Sequence, residues 1–419
     1  MYIKIRLILM SFLQFFIWGA WLTTAGNYWF ANHLGSGMEL GAVFSTLGIS
    51  SLLMPALMGI VADKWIAAEK LYAILHLLAG ICIACIPQVH DPYLFFWVIL
   101  GAMLCYMPTI SLSNAIAYTI LKEAELDVIR DFPPIRVWGT IGFIAAMWFT
   151  DLSGSNARSG QFYISAVASG VLALYAWTLP ACPPTHTRQP TGLRSDVFGL
   201  KAFRLFAHYR MALFFIFSVF LGAALQLTNM YGVAFLNDFS SNPVYTHLLV
   251  MRYPTIIMSA SQISETLFIL AIPFFLRRLG IKRVMLVSMV AWFLRFGLFA
   301  YGNPGNGLWM ILLSNIVYGM AFDFFNISGS LFVETHTDPD IRSSAQGVFM
   351  MMTNGLGAML GSTLSGYLID HYYTVNNTKQ WPGIWTCFAL YALAVAIAFQ
   401  LLFRYKHDRI SDNPLTTAH

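Results

Sequence analysis

The sequence predicts an all-α integral membrane protein with twelve transmembrane helices, and three observations carry that prediction. Of its 419 residues, 58% are apolar and only 10% are charged, with a mean hydropathy of +0.65; soluble domains carry about a quarter of their residues as charges. Twelve apolar stretches follow one another with short connections, each near the roughly 20 residues that a crossing helix needs. None shows the two-residue alternation of a barrel strand, and an open strand would leave its N–H and C=O groups unpaired in hydrocarbon. This composition excludes a water-soluble enzyme, a nucleic-acid binder and a disordered chain.

In chain order the stretches fall at 7–30, 40–62, 70–88, 93–121, 135–152, 161–180, 210–236, 254–276, 281–301, 307–333, 343–370 and 382–403. The first is too long for a signal-peptide core and lacks a small-x-small cleavage site, so it is expected to stay as a helix. Pro133 and Pro134 are expected to open the fifth, since a proline suits the first helical turn. Residues 1–180 thus hold six stretches and 210–404 hold six, joined by a linker at 181–209 and followed by a tail at 405–419. Within the linker, Val197 to Phe206 is amphipathic and suits the membrane surface. Nineteen of the 24 Lys and Arg residues fall on the side shared by the termini, against only Arg158, Arg252 and Lys379 on the other. Basic residues collect in cytoplasmic loops, so both termini are expected in the cytoplasm. The five cysteines form no disulfide pattern, and Cys82-x-x-Cys85 sits within an apolar stretch where redox chemistry is not expected.

A loop pattern recurs in the two halves. Gly59, Asp63 and Lys64 follow the second stretch, and Arg277, Arg278, Lys282 and Arg283 follow the eighth. Together they resemble the split loop signature of the major facilitator superfamily. The resemblance implies two six-helix bundles with a substrate site between them near mid-membrane. Asp63 is expected to pair with a basic group at a neighbouring helix end and to hold one closed state; two ordinary basic loops are the plainer reading.

Two carboxylates, Glu265 and Asp323, lie deep within apolar stretches. An ionisable group there is costly unless it faces a polar cavity or a partner, which makes each a functional candidate, with a packing hydrogen bond as the alternative. Gln262 precedes Glu265 by three residues and Asn326 follows Asp323 by three, so each pair shares a helix face; Gln226 and Asn229 repeat the spacing. Arg136, Thr140 and Phe143 form one stripe on the fifth stretch, although Arg136 has the alternatives of reaching the cytoplasm or pairing with Asp127 or Asp131. Arg295 is expected to snorkel outward or pair with the neighbouring bundle, and His76 to be a packed core residue. Carboxamides offer a donor beside an acceptor, matching a nucleobase edge; carboxylates accept from paired hydroxyls such as a ribose diol; aromatic rings stack on flat rings. Sugars use the same groups, so a sugar or other small polar metabolite stays open at this point. The 34 phenylalanines individually say little.

Four blocks narrow the choice: Ser11 to Thr24, Asp131 to Phe143, Ser261 to Leu270 and Ala321 to Ser330. They strongly resemble the nucleoside:proton symporter family, of the bacterial nucleoside- and xanthosine-permease type, and the likeness runs almost end to end. It implies proton-driven uptake of purine or pyrimidine nucleosides across the bacterial inner membrane, with no enzyme activity, no cofactor or metal, no nucleic-acid partner and a monomer. The family's ligand contacts carry over onto Arg136, Thr140, Phe143, Gln226, Asn229, Gln262, Glu265, Phe322 and Asp323. Proton coupling is expected at Asp323 first, which lies among Phe322, Phe324 and Phe325, and at Glu265 second.

Overall fold

The computed structural model describes residues 2–184, 200–338, 341–376 and 378–403, and every one of the twelve apolar stretches carries helix. The first half comprises α1 (Tyr2–Gly19), α2 (Ala25–Ala31), α3 (Gly37–Lys64), α4 (Ala68–Cys85), α5 (Pro92–Glu123), α6 (Val128–Leu152) and α7 (Gly160–Ala176). The second comprises α8 (Tyr209–Asp238), α9 (Leu249–Arg252), α10 (Pro254–Leu279), α11 (Ile281–Tyr301), α12 (Leu308–His336), α13 (Arg342–Met350), α14 (Ala358–Tyr372) and α15 (Trp381–Leu402). A two-residue hairpin, β1 (Thr374–Val375) with β2 (Thr378–Lys379), precedes α15. Among the described residues, nine helices have the length and apolarity to cross a membrane.

Three helices differ from expectation. The first stretch breaks at residues 20–24, between α1 and α2. Neighbouring side chains take up the carbonyls at the break: Ser165 donates to Ile17 O at 2.7 Å, and Thr150 to Ala20 O at 3.1 Å. Thr24 donates to Gln161 Oε1 at 2.7 Å. Second, α6 begins at Val128, ahead of Pro133 and Pro134; Asp127 accepts the N–H of Arg130 at its start, so the prolines fall in the second turn. Third, a seven-residue π-helical turn, Met351–Gly357, joins α13 to α14; such turns are frequent at functional sites. In the linker, Leu200–Ala207 forms a 3₁₀ helix, while Val197 to Gly199 and the tail from residue 404 lie outside the described residues.

The helices gather in two groups. In the first, α1 packs on α6 and α7, α4 on α5 and α7, and α3 on α5; in the second, α11 packs on α12 and α15, and α10 on α12. The groups meet where α3 lies along α14, α6 along α10, and α2 against α8. Glycines permit this approach: a Cβ on Gly26 would lie 1.9 Å from Met230 O, and one on Gly41 would lie 2.4 Å from Ser362 O.

One end of this seam is sealed by polar contacts. Asp370 at the end of α14 accepts the first two N–H groups of α3, from Gly37 at 2.8 Å and Met38 at 2.6 Å. Asp151 at the end of α6 accepts the N–H of Ile256 in the first turn of α10 at 2.8 Å, and the Trp148 indole donates to Ser259 at 2.8 Å. Each carboxylate thus satisfies helix-start donors in the opposite group. Lys379 places its ammonium 3.4 Å from the Phe30 ring centroid; burial lowers its pKa below the usual lysine range, and the Asp238 and Asp370 carboxylates partly offset this. At the other end of α3, nothing lies within 4 Å of a Cβ on Gly59.

Candidate functional site

The polar residues of the apolar stretches divide between structural and open settings. Gln14, His76, Tyr72, Tyr106 and Thr109 form a closed network inside the first group: His76 Nε2 lies 2.8 Å from Gln14 Oε1, Tyr72 donates to the same oxygen at 2.6 Å, and Gln14 Nε2 donates to Thr109 at 2.9 Å. His76 is therefore a packed core residue.

Along the seam the pattern is different. Arg136 on α6 lies with its guanidinium 4.0 Å from the Phe15 ring centroid on α1. Gly139, one turn on, leaves room for it, since a Cβ there would be 2.7 Å from Arg136 Nη1. Asp131 is engaged by Lys4 at 2.8 Å, and Arg136 lies within electrostatic reach of Glu265 on α10. Glu265 and Asp323 also lie within electrostatic reach of one another, which brings ionisable groups of α6, α10 and α12 together. Phe143, on the same stripe as Arg136, meets the Trp18 indole edge-on at 6.5 Å; Thr140 is half-buried beside it.

In the second group, three buried acceptors have no protein partner, Gln226 Oε1, Gln262 Oε1 and Asp323 Oδ2, and Gln262 lines a cavity with Thr23 and Met147 of the first group. Such atoms are expensive in a membrane interior unless something binds them. Phe322 stacks on Tyr318 with rings 6.3 Å apart and 8° from parallel. Two cavities flank this pair. One is lined by Thr23, Asn229, Gln262 and Arg295 among others; the second is lined by Phe322, Asn326, Thr353 and Asn354 among others. Each is narrow here, with room for about one water-sized molecule.

Arg295 departs from expectation. It neither snorkels nor crosses to the other group, but is fully buried. It donates to Ser314 O at 2.9 Å and to the Ser261 and Thr228 hydroxyls at 3.4 Å, with Tyr318 stacked 4.4 Å from its guanidinium carbon. The spread of its charge over these acceptors and a π face accounts for its tolerance in the interior.

The loop-motif residues are not drawn together. Asp63 and Lys64 are exposed at the end of α3, and Asp63 has no ion pair among the described residues. Arg277 and Arg283 are exposed, Arg278 lies on Phe274 with 4.4 Å to its centroid, and Lys282 donates to Gln400 O at 3.4 Å. Sequence reading missed Thr23, Tyr318 and Arg295 as site neighbours. The available signal was a Thr23–Thr24 hydroxyl pair in an apolar stretch.

Two helical groups, a seam sealed at one end, and a cluster of carboxylates, carboxamides and a guanidinium along it define a membrane carrier with the major-facilitator type of fold. The sequence profile of the family described as Nucleoside H+ symporter matches residues 1–408, and the chain belongs to that family. It is 50% identical to the nucleoside permease NupG of Escherichia coli over 420 residues, covering 100% of both chains. It is 51% identical to the xanthosine permease of Escherichia coli, covering 97% of each. Crystal structures of the nucleoside transporter NupG, one of a mutant, match with TM-scores of 0.93 and 0.90 at 51% identity, covering 96% and 97% of this chain and 100% of those chains. These relatives are carriers, not enzymes.

Proposed function

We propose that this protein takes up nucleosides together with protons across the bacterial inner membrane by alternating access. Twelve crossings form bundles at 1–180 and 210–404, joined by the linker at 181–209, with both termini and the 405–419 tail in the cytoplasm, a placement that the distribution of basic residues supports. The sealed end then faces the periplasm, and the seam opens to the cytoplasm. In the bound state Gln226, Asn229 and Gln262 read the base edge, Phe143 and Phe322 stack on the ring, and Glu265, with Arg136 and Thr140 opposite, takes the ribose hydroxyls. Asp323 is the first proton site and Glu265 the second. A neutralised carboxyl lets the loaded carrier close without burying a bare charge, whereas the empty, charged carrier resists closure. Gly59, Asp63, Lys64, Arg277, Arg278, Lys282 and Arg283 act at the cytoplasmic end, meeting only when that end closes. The proton gradient is the energy source, no cofactor takes part, and one chain is the working unit.

The observation that carries this reading is the set of unpartnered buried acceptors in the second group, Gln226 Oε1, Gln262 Oε1 and Asp323 Oδ2. A ligand with several donors satisfies them together. Uptake into proteoliposomes of labelled uridine, adenosine, xanthosine and a sugar panel tests it: nucleosides should accumulate and sugars should not. Accumulation of a sugar with no nucleoside uptake would replace the reading with a sugar carrier.

A further inference from the structure

We propose that Thr23, on the unwound turn between α1 and α2, is a substrate-contacting residue whose hydroxyl binds the nucleobase edge opposite Asn229 and Gln262. This inference rests on the nucleoside reading above and adds the first helical group's share of base recognition.

Thr23 is 8% exposed, and its Oγ1 has no protein partner. Several other buried threonines satisfy themselves: Thr46 donates to Val43 O at 2.6 Å, Thr109 to Tyr106 O at 2.6 Å and Thr353 to Phe349 O at 3.0 Å; Thr255 Oγ1 is unpartnered as well but does not line the cavity that holds Thr23. The neighbouring Thr24 bonds both Trp21 O and Gln161. Leaving a hydroxyl unpaired in this setting costs stability unless a ligand takes it up. Other buried polar atoms also lack partners, but Thr23 lines one cavity with Asn229, Arg295 and Gln262, whose Oε1 is likewise unpartnered.

The break in the first stretch puts it there. Ser165, Thr150 and Gln161 hold the interrupted turn from behind, and Gly26 fits against the Met230 carbonyl so that α2 lies on α8. Interrupted membrane helices recur at carrier sites because their free polar groups can meet substrate. A hydroxyl both donates and accepts, so it suits the mixed donor and acceptor edge of purine and pyrimidine bases alike. Trp18, five residues earlier on the same segment, adds an unpartnered indole N–H beside Phe143. The first group therefore adds a hydroxyl and an indole N–H to the carboxamides of the second, and a nucleoside bridging them draws the two together.

The test is calorimetric binding and thermal unfolding of the purified full-length carrier and its Thr23→Val and Thr23→Ser variants, with uridine, 2′-deoxyuridine and 3′-deoxyuridine. Thr23→Val should weaken all three ligands by the same factor, roughly five- to thirtyfold. Its ligand-free melting temperature should be unchanged or higher, because the hydroxyl it removes has no protein partner. Thr23→Ser should retain most of the affinity. Unchanged affinity in Thr23→Val overturns the proposal, as does a loss that vanishes with either deoxy sugar, which would place the contact on the ribose. A lower melting temperature that accounts for the affinity loss and is not rescued by serine would make Thr23 a packing residue and also overturn it. Failure of the wild-type protein to bind any nucleoside would instead defeat the functional reading on which this inference rests.

Discussion

Replacing Asp370 by asparagine should unseal the end of the seam that carries the start of α3. The four donors of that helix start are fully assigned. Ser36 Oγ accepts from Glu39 N at 3.2 Å, Glu39 returns a bond to Ser36 N at 2.8 Å, and Asp370 takes Gly37 N and Met38 N at 2.8 and 2.6 Å. The first pair is local to α3 and survives any separation of the groups, whereas the second pair crosses between them and does not. Asp370→Asn keeps one acceptor but loses the second and the charge that faces the helix dipole. The lost charged hydrogen bond is worth about 1.5 to 3 kcal/mol, which corresponds to roughly a ten- to hundredfold shift toward the unsealed state. Asp151→Asn weakens one cross-group bond, to Ile256 N at 2.8 Å, so its effect should be smaller. A single cysteine at Met258, 5% exposed beneath the seal, in an otherwise cysteine-free protein reports opening through its rate of reaction with an impermeant maleimide added from the periplasmic side. The rate should rise about tenfold or more with Asp370→Asn and less with Asp151→Asn. Equal labelling of both variants and the parent would refute the role of these carboxylates in sealing.

Gln226→Ala and Gln262→Ala should each weaken nucleoside affinity by about 1 to 3 kcal/mol, up to roughly a hundredfold; equilibrium binding on purified protein checks this, and affinities within error of wild type would count against base reading by these amides. Asp63→Asn should lower turnover more than affinity, because an exposed residue at the end of α3 alters the balance of states and not the pocket; unchanged turnover with altered affinity would contradict it. Gly26→Val should abolish uptake, since even a Cβ would stand 1.9 Å from the Met230 carbonyl; near-normal uptake would mean that α2 and α8 need not approach this closely.

Helix placement was legible in the sequence because burial in lipid imposes a continuous apolar length, and all twelve stretches carry helix. The polar residues inside them were legible for the same reason: Glu265, Asp323, Gln226 and Gln262 stand out against an apolar background. The break at residues 20–24 was not, because Ala20, Trp21 and Leu22 keep the stretch apolar while the partners that hold it open, Ser165 and Thr150, lie more than a hundred residues away. Asp151 and Asp370 read locally as ordinary charges at helix ends. Their function depends on contacts 105 and 333 residues distant. Arg295 was misjudged because snorkelling is the usual escape of a membrane arginine, and its satisfaction by Ser314, Ser261 and Tyr318 is a property of packed helices, not of one stretch.

The central claim is that uptake of nucleoside is coupled to protonation of a carboxyl in this seam, and uridine accumulation in proteoliposomes under an imposed pH gradient, acid outside, tests it most directly. Wild-type protein should concentrate uridine inside, whereas Asp323→Asn, a mimic of the neutral acid, should bind uridine and exchange it down its gradient without concentrating it. Accumulation at the wild-type level in Asp323→Asn would pass the coupling role to Glu265, and the same result in Glu265→Gln as well would contradict the account.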